Sequence, residues 1–269
     1  MRFLGVDLAW KAGHPSGVAL LGGHRFPLHL REAPRSVATH AEVLEWIAHQ
    51  VRRHRCAVGI DAPLLGTSRP GRRRCDDTVA REFGAFHAST HSPPRAPDLR
   101  WFTAVLIDRY GLDAFAPDVR PRSGRPAVRE VYPNALQVRL FGLCHGSTIR
   151  KYKRRRFGNK GSWVENGLRP FLRDCAGAVA GRYVVADDAW TRFVEDLPRP
   201  SMRVVTLKGI EDRWDALLCA LAVAIEVFAP GAMTYYSGGD WTAGAILAPV
   251  LQGISTRRPG AGGSRRRHE

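Results

Sequence analysis

Phe3-Leu4-Gly5-Val6-Asp7 is an apolar run closed by a carboxylate, and Ala57-Val58-Gly59-Ile60-Asp61 repeats the pattern later in the chain. Each run reads as a short buried strand. A carboxylate at the end of such a strand is costly unless something cationic meets it. Between the two runs, Gly17–Leu21 reads as a second strand and Leu28–Glu32 as a third, with Gly13, Pro15 and Gly22-Gly23 supplying turns. Val37–His54 then carries Val37, Ala41, Leu44, Ile47, Ala48 and Val51 near helical spacing. Asp61-Ala62-Pro63 stops the fourth strand, because proline cannot donate to a ladder.

Three strands, a helix and a further strand follow the order of the RNase H-like fold. The expected class is α/β: a five-stranded mixed sheet, three strands antiparallel and the rest parallel, flanked by helices. First and fourth strands are neighbours in such a sheet, so Asp7 and Asp61 would sit side by side at one end. Further on, Trp101–Tyr110, Asn134–Phe141 (with an Asn cap), Ser162–Cys175 and Asp188–Glu195 read as helices, and Asp76–Phe83 can be one. Ala127–Val131, Met202–Leu207 and Gly244–Val250 read as strands, and Asp212–Phe228 as a long helix rich in small residues. Asp212 and Asp215 are three apart, hence on one helix face. Ala216, Ala220 and Ala224 on adjacent turns would let that helix approach a sheet closely. One domain is expected over 1–254, with basic insertions near 67–100 and 145–200, then a disordered Gly/Arg/Ser-rich tail over 255–269.

The chain has 269 residues, 44% hydrophobic, and a net charge of +16 from 41 Lys+Arg against 25 Asp+Glu. The excess is not only a tail effect. It favours a polyanionic partner, most simply nucleic acid, although arginine-rich composition alone gives the same balance. Five scattered cysteines make no Cys-x-x-Cys motif and suit a reducing compartment. No stretch reads as a signal peptide or a membrane span, so a soluble cytoplasmic protein is expected. Dinucleotide, Walker, zincin and Gly-x-Ser-x-Gly fingerprints are missing from the sequence.

Gly5-Val6-Asp7-Leu8-Ala9-Trp10, Ser16-Gly17-Val18-Ala19, Ile60-Asp61-Ala62-Pro63-Leu64, Glu130-Val131-Tyr132-Pro133 and Asp212-x-x-Asp215-Ala216-Leu217-Leu218-Cys219-Ala220 together resemble domain-of-unknown-function family four-twenty-nine. That family is described as predicted RNase H-like nucleases. The resemblance covers most of the chain except the tail. Within the superfamily, Holliday-junction resolvases use a strand-one Asp, a strand-four acid and an Asp-x-x-Asp pair on a late helix. Asp7, Asp61, Asp212 and Asp215 match that set one by one. Resolvases often carry Glu where this chain has the shorter Asp61, which changes the reach to a metal.

The resemblance thus implies a Mg²⁺ or Mn²⁺ site built from Asp7, Asp61, Asp212 and Asp215, with nucleic acid (DNA or RNA) as substrate. Hard carboxylate oxygens suit these ions, and two ions about 3.5–4 Å apart can drive phosphodiester hydrolysis. Asp7 would bridge them, Asp61 would hold one, and Asp212 with Asp215 the other. Read singly, Asp61 can begin a turn and Asp212 can cap a helix. Glu130 is a further ligand or a support for one; a structural hydrogen bond is the plain alternative. Arg72, Arg73, Arg74, Lys151, Lys153, Arg154 and Arg155 are candidate phosphate contacts, with Tyr152 interleaved among cations, although a charge run can equally be a solvated loop. His87 and His91 read as loop residues rather than zinc ligands, and Trp10 and Trp214, which adjoin acidic positions, as core, with base stacking the alternative. Two alternatives to a nuclease stay open: an actin/hexokinase-like phosphotransferase, and a nucleic-acid-binding protein without catalysis.

Overall fold

The computed structural model describes residues 1–11, 13–66, 71–90, 97–144 and 146–251. The tail and His91 lie outside them. Strands β1 (Arg2–Asp7), β2 (Ser16–Gly22) and β3 (His29–Val37) form an antiparallel meander. Helix α1 (His40–Arg53) follows, capped by the Thr39 side chain on the Glu42 N–H, and β4 (Cys56–Asp61) returns parallel to β1. Helices α2 (Arg74–Phe83) and α3 (Pro97–Tyr110) lie in the connection to β5 (Ala127–Val131). Helix α4 (Pro133–Leu140) comes next, and then a single turn, α5 (Lys160–Ser162), runs through a π-helical stretch, Trp163–Leu168, into α6 (Arg169–Val179). Helix α7 (Asp188–Glu195), the long α8 (Val204–Phe228) and a hairpin of β6 (Met233–Tyr236) and β7 (Ile246–Pro249) complete the order.

The sheet has seven strands rather than five, ordered β3-β2-β1-β4-β5-β7-β6, with β1, β4, β5 and β7 parallel. The terminal hairpin accounts for the difference, since β6 has only four residues and no alternating pattern to announce it. Met202–Leu207 is not a strand. Its β-branched residues open α8 instead: Val204 and Val205 stay exposed, while Leu207 and Ile210, one helical turn apart, are buried. The expected Asn cap is also absent; Tyr132 sits at the N-cap of α4, and Asn134 turns its amide to the Tyr132 hydroxyl.

The pleat sorts the central strands onto two faces. Leu4, Val6, Val18, Leu20, Val58 and Ile60 pack with α1 and α3 on one side. Phe3, Ala19, Leu21 and Ala57 pack with α6 and α8 on the other. On that second face the positions opposite α8 are glycines. A Cβ at Gly5 would lie 1.9 Å from the Ala216 carbonyl oxygen, at Gly17 2.1 Å from that of Asp212, and at Gly59 2.4 Å from that of Cys219. The α8 backbone therefore lies directly on β1, β2 and β4. Its residues from Trp214 to Ile225 are buried all round, which makes it the central helix of the core. Among the described residues no helix is long and apolar enough to cross a membrane.

Candidate active site

Asp7 and Asp61 end β1 and β4, and they are direct partners in the parallel register. Two-residue alternation puts both on the face that carries Gly5 and Gly59, toward α8. Lys208, Glu211, Asp212 and Asp215 occupy positions i, i+3, i+4 and i+7 of that helix, hence one stripe. The close glycine contacts press this stripe against the two strand ends. All four aspartates expected from the sequence thus meet at one place.

The acids perturb one another. Burial, then the neighbouring Asp212, pushes the Asp7 carboxyl from 3.8 up to about 7, and the two groups share a hydrogen bond. Burial, then Asp7 and Asp215, holds Asp61 well above the usual carboxylate range. Burial lifts Asp215 to about 6 even though Lys153 draws it down. Like charges forced together out of water raise each other's affinity for a proton or another cation.

Two lysines already answer part of that charge. Lys153 Nζ lies 2.5 Å from Asp215 Oδ2 and 3.0 Å from Glu211 Oε1. Lys208 Nζ lies 2.9 Å from Glu211 Oε1 and also donates to Asp212. Burial works against the Lys153 ammonium, but Asp215 and Glu211 outweigh it and hold it charged. Tyr152 fixes the approach of Lys153: its hydroxyl donates to Asp215 Oδ1 at 2.8 Å, its ring stacks on Phe171 with centroids 3.8 Å apart, and its carbonyl accepts from the Trp163 indole at 2.6 Å. No group of three His, Cys, Asp or Glu among the described residues is arranged to hold a metal ion.

Above the acids lies a cleft of about 700 Å³. Asp7, Asp61 and Glu211 line it together with Trp10, Tyr132 and His87, and Arg150, Lys151, Lys153 and Arg154–Arg156 form a basic wall. Lys151, Lys153, Arg154 and Arg155, four of the candidate phosphate contacts, thus line this cleft. Trp214 is core, packed on Trp190 and Phe193.

Three expectations need correction. Arg73 is not a surface contact: its guanidinium is buried, donating to Glu130 Oε1 at 2.5 Å, to Asp76 Oδ1 at 2.9 Å and to the Leu65 carbonyl at 2.8 Å. Glu130 is correspondingly occupied by Arg73 and by the Leu64 N–H. It pairs with Ile60 rather than Asp61 and so takes the opposite pleat face from the aspartates, where it lines the same cleft and makes the structural hydrogen bonds that were the plain alternative. Arg72 folds back onto α2 through Asp77 and the Asp76 carbonyl, and neither it nor Arg74 lines the cleft.

Sequence reading missed Glu211, Lys208 and the structural part of Tyr152. Glu211 had a signal: a carboxylate four residues before Asp215, enclosed by Ile210 and Trp214. Tyr152 had none, because its partners are distant in sequence.

The model of the family described as "Protein of unknown function (DUF429)" matches residues 5–238. The chain belongs to that family. No curated protein and no solved structure matches it. The DUF429 match spans the four aspartates, Glu211 and both lysines, so the site lies wholly within the family's shared region.

Proposed function

We propose that this DUF429 protein is a metal-dependent nuclease that hydrolyses phosphodiester bonds in DNA or RNA. One observation carries this reading: Asp7 and Asp61, from two adjacent strand ends, line a basic cleft, and Asp212 and Asp215 of one helix face lie buried against them. The donor set is all hard oxygen, and its carboxyls crowd enough to share a proton. Oxygen donors of this kind suit Mg²⁺ or Mn²⁺, but as the side chains stand no three of them are arranged to hold an ion, so binding one would require them to turn toward it. Asp7, Asp61, Asp212 and Asp215 would hold the ion, which when bound supplies Lewis-acid polarisation and a more acidic water.

The chain's own groups supply the rest. Arg150, Lys151 and Arg154 offer charge to a phosphate backbone. Tyr152 holds one oxygen of Asp215 and so orients the other. Asp7 exchanges a proton near neutral pH.

Labelled single- and double-stranded DNA and RNA, incubated with Mg²⁺, Mn²⁺ or EDTA, test the proposal. Cleavage should need the metal and should fall at least about a hundredfold in Asp7→Asn, with the circular dichroism spectrum retained. Full activity of that variant, or cleavage in EDTA, would sink it. A second reading, nucleic-acid binding without cleavage, draws on the lysines that occupy the acid oxygens. Salt-sensitive binding indifferent to metal, with no substrate cut, would select it.

A further inference from the structure

The cleft has two unlike sides. Its basic wall lies on the α8 side of the sheet, where Lys153 reaches Asp215 and the Tyr152 ring stacks on Phe171 of α6. This wall is anchored rather than loosely solvated. The Trp163 indole holds the Tyr152 carbonyl, and the Arg154 guanidinium rests over the Trp163 ring, 5.9 Å from its centroid. Lys151, Arg155 and Arg156 stand exposed along it.

Across the strand ends the lining changes to rings and apolar groups: Trp10 after β1, Ala62 and Pro63 after β4, and Tyr132 after β5. Trp10 packs on the α1–α3 layer, the face of the sheet away from α8. The backbone just before it is pinned, since the Ala9 N–H donates to Ser16 Oγ at 3.0 Å and the Ala9 carbonyl lies 2.7 Å from His40 Nε2. Tyr132 has already used its hydroxyl, which donates to the Ser89 carbonyl at 2.7 Å and accepts from the Asn134 amide at 3.0 Å. Both rings are half-buried. Tyr132 therefore offers a ligand ring surface rather than a hydrogen bond.

Size and shape then select the occupant. A cleft of about 700 Å³ is of ligand-pocket size and holds about two nucleotides. A duplex keeps its bases stacked inside and is read by a helix or ribbon that enters its groove. A concavity does the reverse: it receives bases that have left the stack, on aromatic platforms beside a cationic track.

We propose that the cleft binds a single polynucleotide strand, its phosphates along Lys151–Arg156 and an unpaired base against Trp10 and Tyr132. Trp10 follows Asp7 by three residues, so the bound strand passes beside the acids. Ring faces accept any base, and the strand is taken with little regard to its sequence. This names the substrate of the proposed nuclease and rests on that reading for the chemistry, whereas the binding itself needs no metal.

Fluorescence anisotropy with the full chain in EDTA tests the binding apart from cleavage. A labelled strand of about ten nucleotides, as DNA or as RNA, should bind at least about tenfold tighter than the same strand annealed to its complement. Trp10→Ala should weaken single-strand binding by about tenfold, and Trp10→Phe by far less because a ring remains. Lys151→Ala should reduce the salt slope of that binding by about 0.7. Wild type holding the duplex as tightly as the strand, or binding neither, would overturn the proposal, and that comparison needs no variant to fold. A folded Trp10→Ala with undiminished single-strand affinity would overturn it too. Metal-dependent cleavage confined to duplex would remove the single strand and leave the nuclease. Tight single-strand binding without cleavage under any metal would support the strand and remove the nuclease.

Discussion

Replacing Gly5 by alanine adds one methyl group at the tightest point between sheet and helix. That Cβ would stand 1.9 Å from the Ala216 carbonyl oxygen and 2.5 Å from the Ala220 nitrogen, where ordinary contact begins at 3.4 Å. Both obstacles are backbone, so no rotamer change relieves them. The helix has to move outward by about 1.5 Å to restore contact distance. Overpacking of this kind costs typically 1–3 kcal/mol, and a rigid obstacle belongs at the upper end, about 3 kcal/mol. For a chain of this size that lowers the melting temperature by about 6–12 °C. The same movement lifts Asp212 and Asp215 off Asp7 and Asp61. A misplacement of about 1 Å can cost about a hundredfold in rate, so Mn²⁺ affinity and cleavage should fall together with stability. Differential scanning fluorimetry and manganese titration read the two effects. Gly177→Ala is the control, since nothing lies within 4 Å of its Cβ and it sits on the exposed side of α6; it should stabilise by about 0.5–1 kcal/mol. A Gly5→Ala protein melting within about 1 °C of wild type would refute the packing described here.

Two further outcomes follow from the buried charges. Asp7 is protonated more readily folded than unfolded, so its contribution to stability is intact below about pH 4 and lost as pH rises through about 7. Moving a carboxyl from 3.8 to about 7 costs the charged form at most ~4 kcal/mol, and less here because Asp7 keeps partial solvent contact. Asp7→Asn should therefore melt several degrees above wild type at pH 8 in EDTA and match it at pH 4; an equal gain at both pH values would contradict this. Arg73→Met strands Glu130 and Asp76 as buried acids and should cost about 3–5 kcal/mol in urea denaturation. Adding Glu130→Gln should restore part of that loss, and a single-variant cost below about 1 kcal/mol would rule out the buried ion cluster.

What the sequence made legible was mostly local or periodic. The apolar runs ending in Asp7 and Asp61 are strands, Ala127–Val131 and Asp188–Glu195 have the expected bounds, and the Asp212/Asp215 pair lies on one helix face. Propensity misled at Val204-Val205-Thr206, where β-branched residues begin a helix because Leu207 and Ile210 have a core to enter. Arg73 looked like part of a basic surface run, and its main partner, Glu130, is 57 residues away. Lys153 meets Asp215 across 62 residues. Contacts of that span leave no periodic trace, so Lys153 was visible as part of a basic run but its pairing with the acids was not.

The site also joins the two extremes of the folded region. Asp7 belongs to the first strand and Asp215 to the last long helix. On a ribosome, about ten to forty seconds of synthesis separate them. No shorter nascent chain can assemble the acids, however well its early strands pair. The nuclease proposed above would therefore stay silent beside the messenger and ribosomal RNA that surround it during translation, and would be armed only by the final packing of α8.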